Sequence, residues 1–132
     1  MSEKICCIGL GYIGLPTATM FAVNGHKVVG VDVQKNVIET INNGDIHIEE
    51  PGLKEMVKGA VMEDNLRASL TPVEADIFII AVPTPLTDNK GANLEYVKDA
   101  TNSIVPYLKE DDLVIIESTI APRTTEDVVV PI

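Results

Sequence analysis

Gly9, Gly11 and Gly14 stand in the spacing G-x-G-x-x-G within IGLGYIGLPTA, and Asp32 follows 18 residues after the last of them. Each position has a chemical use if the first glycine closes a strand and the last opens a helix. Gly9 lets the chain turn sharply. Gly11, with no Cβ, leaves the backbone open to the close approach of a pyrophosphate, and Gly14 removes a side chain that would push the helix off the sheet. The N–H groups around Tyr12 and Ile13 then face the phosphates from the positive end of a helix. Pro16 is compatible with that first turn, whose N–H groups have no intrahelical partner. A carboxylate at Asp32 accepts hydrogen bonds from the adenosine ribose hydroxyls and repels a 2′-phosphate, which favours NAD over NADP. Lys35 nearby pulls the other way, because its charge would partly offset a phosphate. Without the strand and helix around them, the same three glycines mark only a tight turn.

The surrounding pattern supplies that context. Lys4–Ile8 reads as a strand and Ile13–Asn24 as a helix stopped at Asn24-Gly25. Lys27–Asp32 is a second strand, followed by a helix from Lys35 to Asn42 and a short amphipathic helix over Leu53–Val61. Leu66–Leu70 and Ile77–Val82 are further strands, Leu94–Leu108 a long helix, Leu113–Ser118 a fifth strand, and Thr124 begins another helix. Runs such as Val28–Val31, Ile77–Val82 and Leu113–Ile116 are apolar at nearly every position, as strands covered on both faces are. Strands alternating with helices select an α/β fold, a Rossmann-type doubly wound parallel sheet with right-handed crossovers. The last helix has run little more than one turn when the sequence stops at Ile132, and a sixth strand would still be needed. The expectation is a single NAD-binding domain over 1–132, a fragment of a longer protein truncated before the last strand of its sheet.

Ligands of an open α/β sheet lie across the carboxyl ends of its strands, and two further segments fall there. In VPTP, residues 82–85, the prolines hold the backbone extended and leave Thr84 the only residue between them with both a free N–H and a hydroxyl; the plainer reading is a rigid loop. In ESTIAPRTTED, residues 117–127, Ser118 and Thr119 are placed to face the cofactor, Thr124 to cap the next helix, and Arg123 to be solvated. His26 and His47 have no evident carboxylate or metal partner and read as surface polar residues. Cys6 and Cys7 are adjacent in a strand, so their side chains point to opposite faces, and neither a disulfide nor a metal site is natural.

Bulk properties narrow the partners. The chain has 132 residues, enough for one domain with a proper core, and its two Phe, three Tyr and no Trp make that core mainly aliphatic. A net charge of −10, from 10 basic and 20 acidic residues, opposes nucleic acid and anionic membrane surfaces. A nucleotide still binds where backbone N–H groups concentrate positive potential. No stretch approaches the about 18 apolar residues of a membrane span, and Met1–Lys4 leads straight into a strand, so a cytoplasmic location is expected.

The segments GLGYIGLPTA, GVD, INNGDIHIEEPGL, LRASLTPVEADIFIIAVPTP and ESTIAPRTTE, in this order over essentially the whole chain, resemble the amino-terminal domain of the UDP-glucose/GDP-mannose dehydrogenase family. Within it, INNGDIHIEEPGL and LRASLTPVEAD are most similar to members acting on UDP-N-acetyl-D-mannosamine. The resemblance implies NAD-dependent oxidation of a nucleotide sugar's C6 hydroxyl to a carboxylate by two hydride transfers, through a thioester on a family cysteine. It matches Gly9, Gly11, Tyr12, Ile13 and Gly14 to the family's phosphate turn, Asp32 to its ribose acid, and Thr84 and Thr119 to its cofactor-facing threonines. STIAPR departs from the S-T-V-P-P-G of many members, with Pro122 moved and Arg123 at the usual glycine. The resemblance further implies that the catalytic cysteine, lysine and asparagine and most sugar-binding residues come from later segments. This chain then carries no catalytic residue and no metal site, and should not turn over substrate alone. Full-length homo-oligomers are implied through a central helical region absent here. Other UDP-sugar 6-dehydrogenases, for UDP-glucose or UDP-N-acetylglucosamine, and a non-catalytic NAD-binding module are the alternative readings.

Overall fold

A computed structural model of the chain describes residues 3–48, 50–82, 95–110 and 112–116, with the backbone only over 95–97. Five strands form one wholly parallel sheet: β1 (Lys4–Ile8), β2 (Lys27–Val31), β3 (Leu66–Ser69), β4 (Ile77–Ile80) and β5 (Leu113–Ile116), in the order β3-β2-β1-β4-β5. The order reverses at β1, which pairs with β2 on one side and β4 on the other, with Cys6 opposite both Val29 and Phe78. This is the dinucleotide-binding arrangement, whose ligand crevice opens where the strand order reverses.

The apolar runs are long because both faces are covered. On one face, α1 (Gly14–Val23), α2 (Lys35–Asn42) and α3 (Leu53–Met62) bury Leu15, Ala18, Val37, Ile41 and Val57 against Ile5, Cys7, Val28 and Ala68. On the other, Ala100 and Ile104 of α4 (Glu95–Ile104) meet Cys6, Ile8, Val29, Val31, Phe78 and Ile80. The adjacent cysteines thus point to opposite faces, each fully buried, as alternation requires. The connection over residues 70–76 carries the chain from β3, at the edge, past β2 and β1 to β4, and its Val73 and Ala75 join the second core. At its end Asp76 clamps β1: its N–H donates to the Lys4 carbonyl at 2.8 Å and its Oδ2 accepts from the Lys4 N–H at 3.1 Å.

Three features differ from the sequence expectations. The fourth helix does not continue to Leu108; it ends at Ile104 and Val105–Tyr107 is a 3₁₀ turn, because Pro106 cannot donate to the turn before it and its ring clashes there. The long second and fourth strands stop at Val31 and Ile80, which leaves Asp32, Ala81 and Val82 in the loops above the sheet. His26 is no freely solvated residue. Its Nδ1 accepts the Glu3 N–H at 3.0 Å and its ring meets Phe21 edge-on at 5.7 Å, which ties the start of β1 to the end of α1. The helix expected from Thr124 lies outside the described residues.

The outer edge of β3 is closed by a side chain. Asn42, at the end of α2, accepts the Ala68 N–H at 2.8 Å through Oδ1 and donates through Nδ2 to the Ala68 carbonyl at 3.0 Å. One carboxamide thereby satisfies the backbone as a neighbouring strand would, on an edge otherwise open to pairing. Replacing Asn42 by Ala should lower the unfolding free energy by about 1 kcal/mol, measured by urea titration with an unchanged m-value.

Candidate cofactor site

The glycine turn is folded tightly on itself. Gly9 adopts φ +100°, and a Cβ there would lie 2.6 Å from the Ala81 carbonyl oxygen, so both conformation and space demand glycine. A Cβ at Gly14 would lie 1.8 Å from the Gly9 carbonyl oxygen and 3.3 Å from Cβ of Ala81. Helix–sheet clearance is what the glycine spacing predicts for Gly14. Its nearest obstacle is the turn itself, with the sheet edge behind. Gly11 is the opposite case: a Cβ there would meet nothing within 4 Å, and the residue borders a cleft.

The start of α1 is left uncapped. Ile13, at the N-cap position, offers no side-chain hydrogen bond, and the first turn holds no acidic residue. Carbonyls of this segment are used, with Gly11 accepting from Leu15 N–H at 3.1 Å and Ile13 from Thr17 N–H at 3.2 Å. The N–H groups of Gly11, Tyr12 and Ile13, by contrast, donate to no backbone group among the described residues. Tyr12 and Ile13 are both exposed. Unpaired donors at the positive end of a helix, beside a glycine that leaves room, suit a pyrophosphate.

Asp32 sits half-buried just beyond β2, and both of its oxygens are engaged by backbone. Oδ2 accepts the Leu10 N–H at 3.1 Å, and Oδ1 accepts the Gln34 N–H at 3.0 Å. The first bond holds the acid to the glycine turn, so turn and carboxylate form one unit. Each oxygen keeps a further lone pair for an incoming hydroxyl.

Two residues of this unit escaped the sequence reading. Leu10, inside the glycine motif, is buried, and its isobutyl group occupies the space over Gly30 of β2, where a Cβ would come within 2.5 Å of a Leu10 methyl. A glycine inside an apolar strand is the signal that would have found it. His47 is exposed, as a surface polar residue should be, and it also lines the cleft beside Gln34 and Ile48.

The cleft measures about 710 Å³ and runs from the glycine turn past Asp32 to Leu70 and Pro72, with Val82, Asp99 and Ser103 also on its walls. Val33 is 88% exposed and Leu70 50% exposed, two large apolar side chains held in solvent at the rim. Apolar walls with a few fixed polar groups suit a flat ring. Thr84, Ser118 and Thr119, expected to face the cofactor, lie outside the described residues. Among the described residues no group of His, Cys, Asp and Glu is arranged to hold a metal ion, and no helix is long and apolar enough to cross a membrane. Burial raises the pKa of the Cys6 thiol, against smaller lowering effects from a Val73 backbone hydrogen bond and the charge of Lys4, so it rests as a protonated core group.

Parallel sheet, strand order, glycine turn and acidic strand end together define a dinucleotide-binding domain of the Rossmann type. The chain belongs to the UDP-glucose/GDP-mannose dehydrogenase family, whose NAD binding domain matches residues 3–132, and NAD is the cofactor of that domain. It is 51% identical over 130 residues to the UDP-N-acetyl-D-mannosamine dehydrogenase of Methanococcus maripaludis, a match covering 96% of this chain and 30% of the relative. It is 49% identical over 124 residues to the NDP-N-acetyl-D-galactosaminuronic acid dehydrogenase of Ralstonia nicotianae, covering 94% of this chain and 29% of the relative. The native structure of the UDP-N-acetyl-mannosamine dehydrogenase Cap5O from Staphylococcus aureus superposes with a TM-score of 0.94 at 47% identity, over 97% of this chain and 32% of that one. The chain thus spans about 30% of the length of these relatives.

Gly14 and Gly11 should separate on substitution. Gly14→Ala, facing a backbone carbonyl that cannot retreat, is expected to lower stability by about 3 kcal/mol or more, measured by thermal unfolding. Gly11→Ala should leave the melting temperature within a degree or two and weaken NAD binding at least about tenfold, because its methyl enters the space of the phosphates. In the native chain Cys6 should resist alkylation at pH 7 to 8 and react on unfolding, read by mass spectrometry with and without denaturant.

Proposed function

We propose that this chain is the cofactor-holding domain of a nucleotide-sugar 6-dehydrogenase that oxidises UDP-N-acetyl-D-mannosamine to the corresponding uronate. The observation that carries the cofactor geometry is the coupling of Asp32 to the glycine turn through the Leu10 N–H. In this reading the N–H groups of Gly11, Tyr12 and Ile13 receive the pyrophosphate, and Gly9 and Gly14 keep the turn compact enough to present them. Asp32 receives the adenosine ribose hydroxyls on its remaining lone pairs and disfavours a 2′-phosphate. Val33, Leu70 and Pro72 supply apolar surface for the base. Thr84, Ser118 and Thr119, which follow β4 and β5 in the sequence, complete the cofactor-facing set in this reading. When bound, NAD supplies a hydride acceptor; this chain's part is to place it.

The catalytic thiol and most sugar contacts belong in this reading to segments beyond the domain, so the chain alone is inactive. Its two cysteines sit at the centre of the sheet, closed to substrate on both faces. The choice of sugar rests on the identities to mannosamine-type relatives. The nearly equal identity to a galactosaminuronate-type relative makes substrate profiling of the full-length protein the test of that choice: UDP-N-acetyl-D-mannosamine should be oxidised faster than the other UDP-N-acetylhexosamines and UDP-glucose.

Cofactor selection is measured by calorimetric titration of the chain with NAD and NADP. NAD should bind more tightly, and Asp32→Ala should weaken NAD at least about tenfold while narrowing the preference. NADP bound as tightly as NAD by the native chain would refute the assignment of Asp32.

A further inference from the structure

The wall that α4 gives to the cleft is polar at two places. Asp99 and Ser103, four residues apart and so on one face of the helix, both line it, with Ala100 between them. From the glycine turn through Asp32, an adenosine bound as proposed above extends its base away from the phosphates. It then enters the part of the cleft bounded by Leu70 and Pro72 from the β3–β4 connection and by Val82 and α4. Apolar side chains there hold the ring faces, and the polar pair meets its edge.

The hydrogen-bonding character of the pair is one-sided. The Ser103 hydroxyl donates to the Ala100 carbonyl at 2.6 Å, so its oxygen presents only lone pairs to the cleft. Asp99 is exposed, and a carboxylate likewise only accepts. We propose that Asp99 and Ser103 read the 6-position of the purine, selecting a 6-amino group over a 6-oxo group. An exocyclic amine carries two N–H donors, one for each acceptor. A 6-oxopurine carries a carbonyl oxygen there and a single donor at the neighbouring ring nitrogen, so it satisfies at most one acceptor and sets an oxygen against the other. The inference rests on the reading of the cleft as the NAD site and adds a selectivity that the phosphate turn and the ribose acid do not supply.

The probe is nicotinamide hypoxanthine dinucleotide, which differs from NAD only at that edge of the base. In calorimetric titrations of the chain, NAD should bind about tenfold more tightly. Asp99→Asn, whose amide offers a donor to the 6-oxo group, should bring the ratio of the two affinities close to one, and Ser103→Ala should reduce it by a smaller factor. The ratio is the readout because loss of the Asp99 charge acts on both dinucleotides alike. Equal binding of the two by the native chain, or a preference that both variants retain, overturns the inference while leaving the cofactor site in place. Binding of neither dinucleotide overturns the cofactor reading itself, and the inference with it.

Discussion

The contact on which the rest of the site depends is the seating of the Gly9 carbonyl against the α-carbon of Gly14. A methyl group at Gly14 would stand 1.8 Å from that oxygen. The closeness lets α1 start immediately above the strand end, with its first N–H groups aimed across the top of the sheet. From it follow the direction of the helix dipole, the position of Gly11 over open space, and the reach of the Leu10 N–H to Asp32. The turn, the helix and the acid at the end of β2 are therefore one rigid object, held by backbone geometry and a single carboxylate. The buried isobutyl group of Leu10, resting over Gly30, fixes that object to the sheet from below.

Most of this was legible in the chain. Apolar runs bounded by turn residues located the five described strands, and the glycine spacing located the tight turn from strand to helix, because both signals are local and repeat physical requirements of the backbone. What was missed depends on residues distant in sequence. Nothing around His26 announces that Glu3 will donate to it, 23 positions away. The role of Gly30 appears only once Leu10 has folded over it. His47 and Ser103 come to the cleft from a loop and a helix whose placement is set by the crossovers, not by their own neighbours. The end of α4 is a different case: Pro106 is a local signal in the sequence, and a proline stops a helix.

The electrostatic arrangement carries a tension that the geometry resolves. A chain of net charge −10 belongs to a domain family whose cofactor carries a dianionic pyrophosphate, and no described residue places a lysine or arginine side chain in the cleft. Among the described residues the source of attraction is backbone N–H groups, whose partial charges act over a few ångströms and are already oriented. The overall field works against polyanions, while the local one admits a small phosphate ligand. In the proposed reading Asp32 sharpens this division by adding negative charge where a second phosphate would otherwise be tolerated.

The crossing of the β3–β4 connection divides the molecule in time as well as in space. Of the buried residues described on the first face of the sheet, all but Ile79 lie between Ile5 and Ala68, with Ile77 and Ile115 packing on later, so a growing polypeptide holds nearly that whole core before β4 is made. The opposite face of β1 and β2, with Cys6, Ile8, Val29 and Val31, is covered among the described residues only by later ones, chiefly Val73, Ala75, Ala100 and Ile104. A nascent chain paused between the two would be a half-clad sheet, its central strand β1 exposing the edge that later receives β4, a surface prone to adventitious association. The same strand that divides the two halves of the cofactor crevice is therefore the seam at which synthesis leaves the domain most vulnerable.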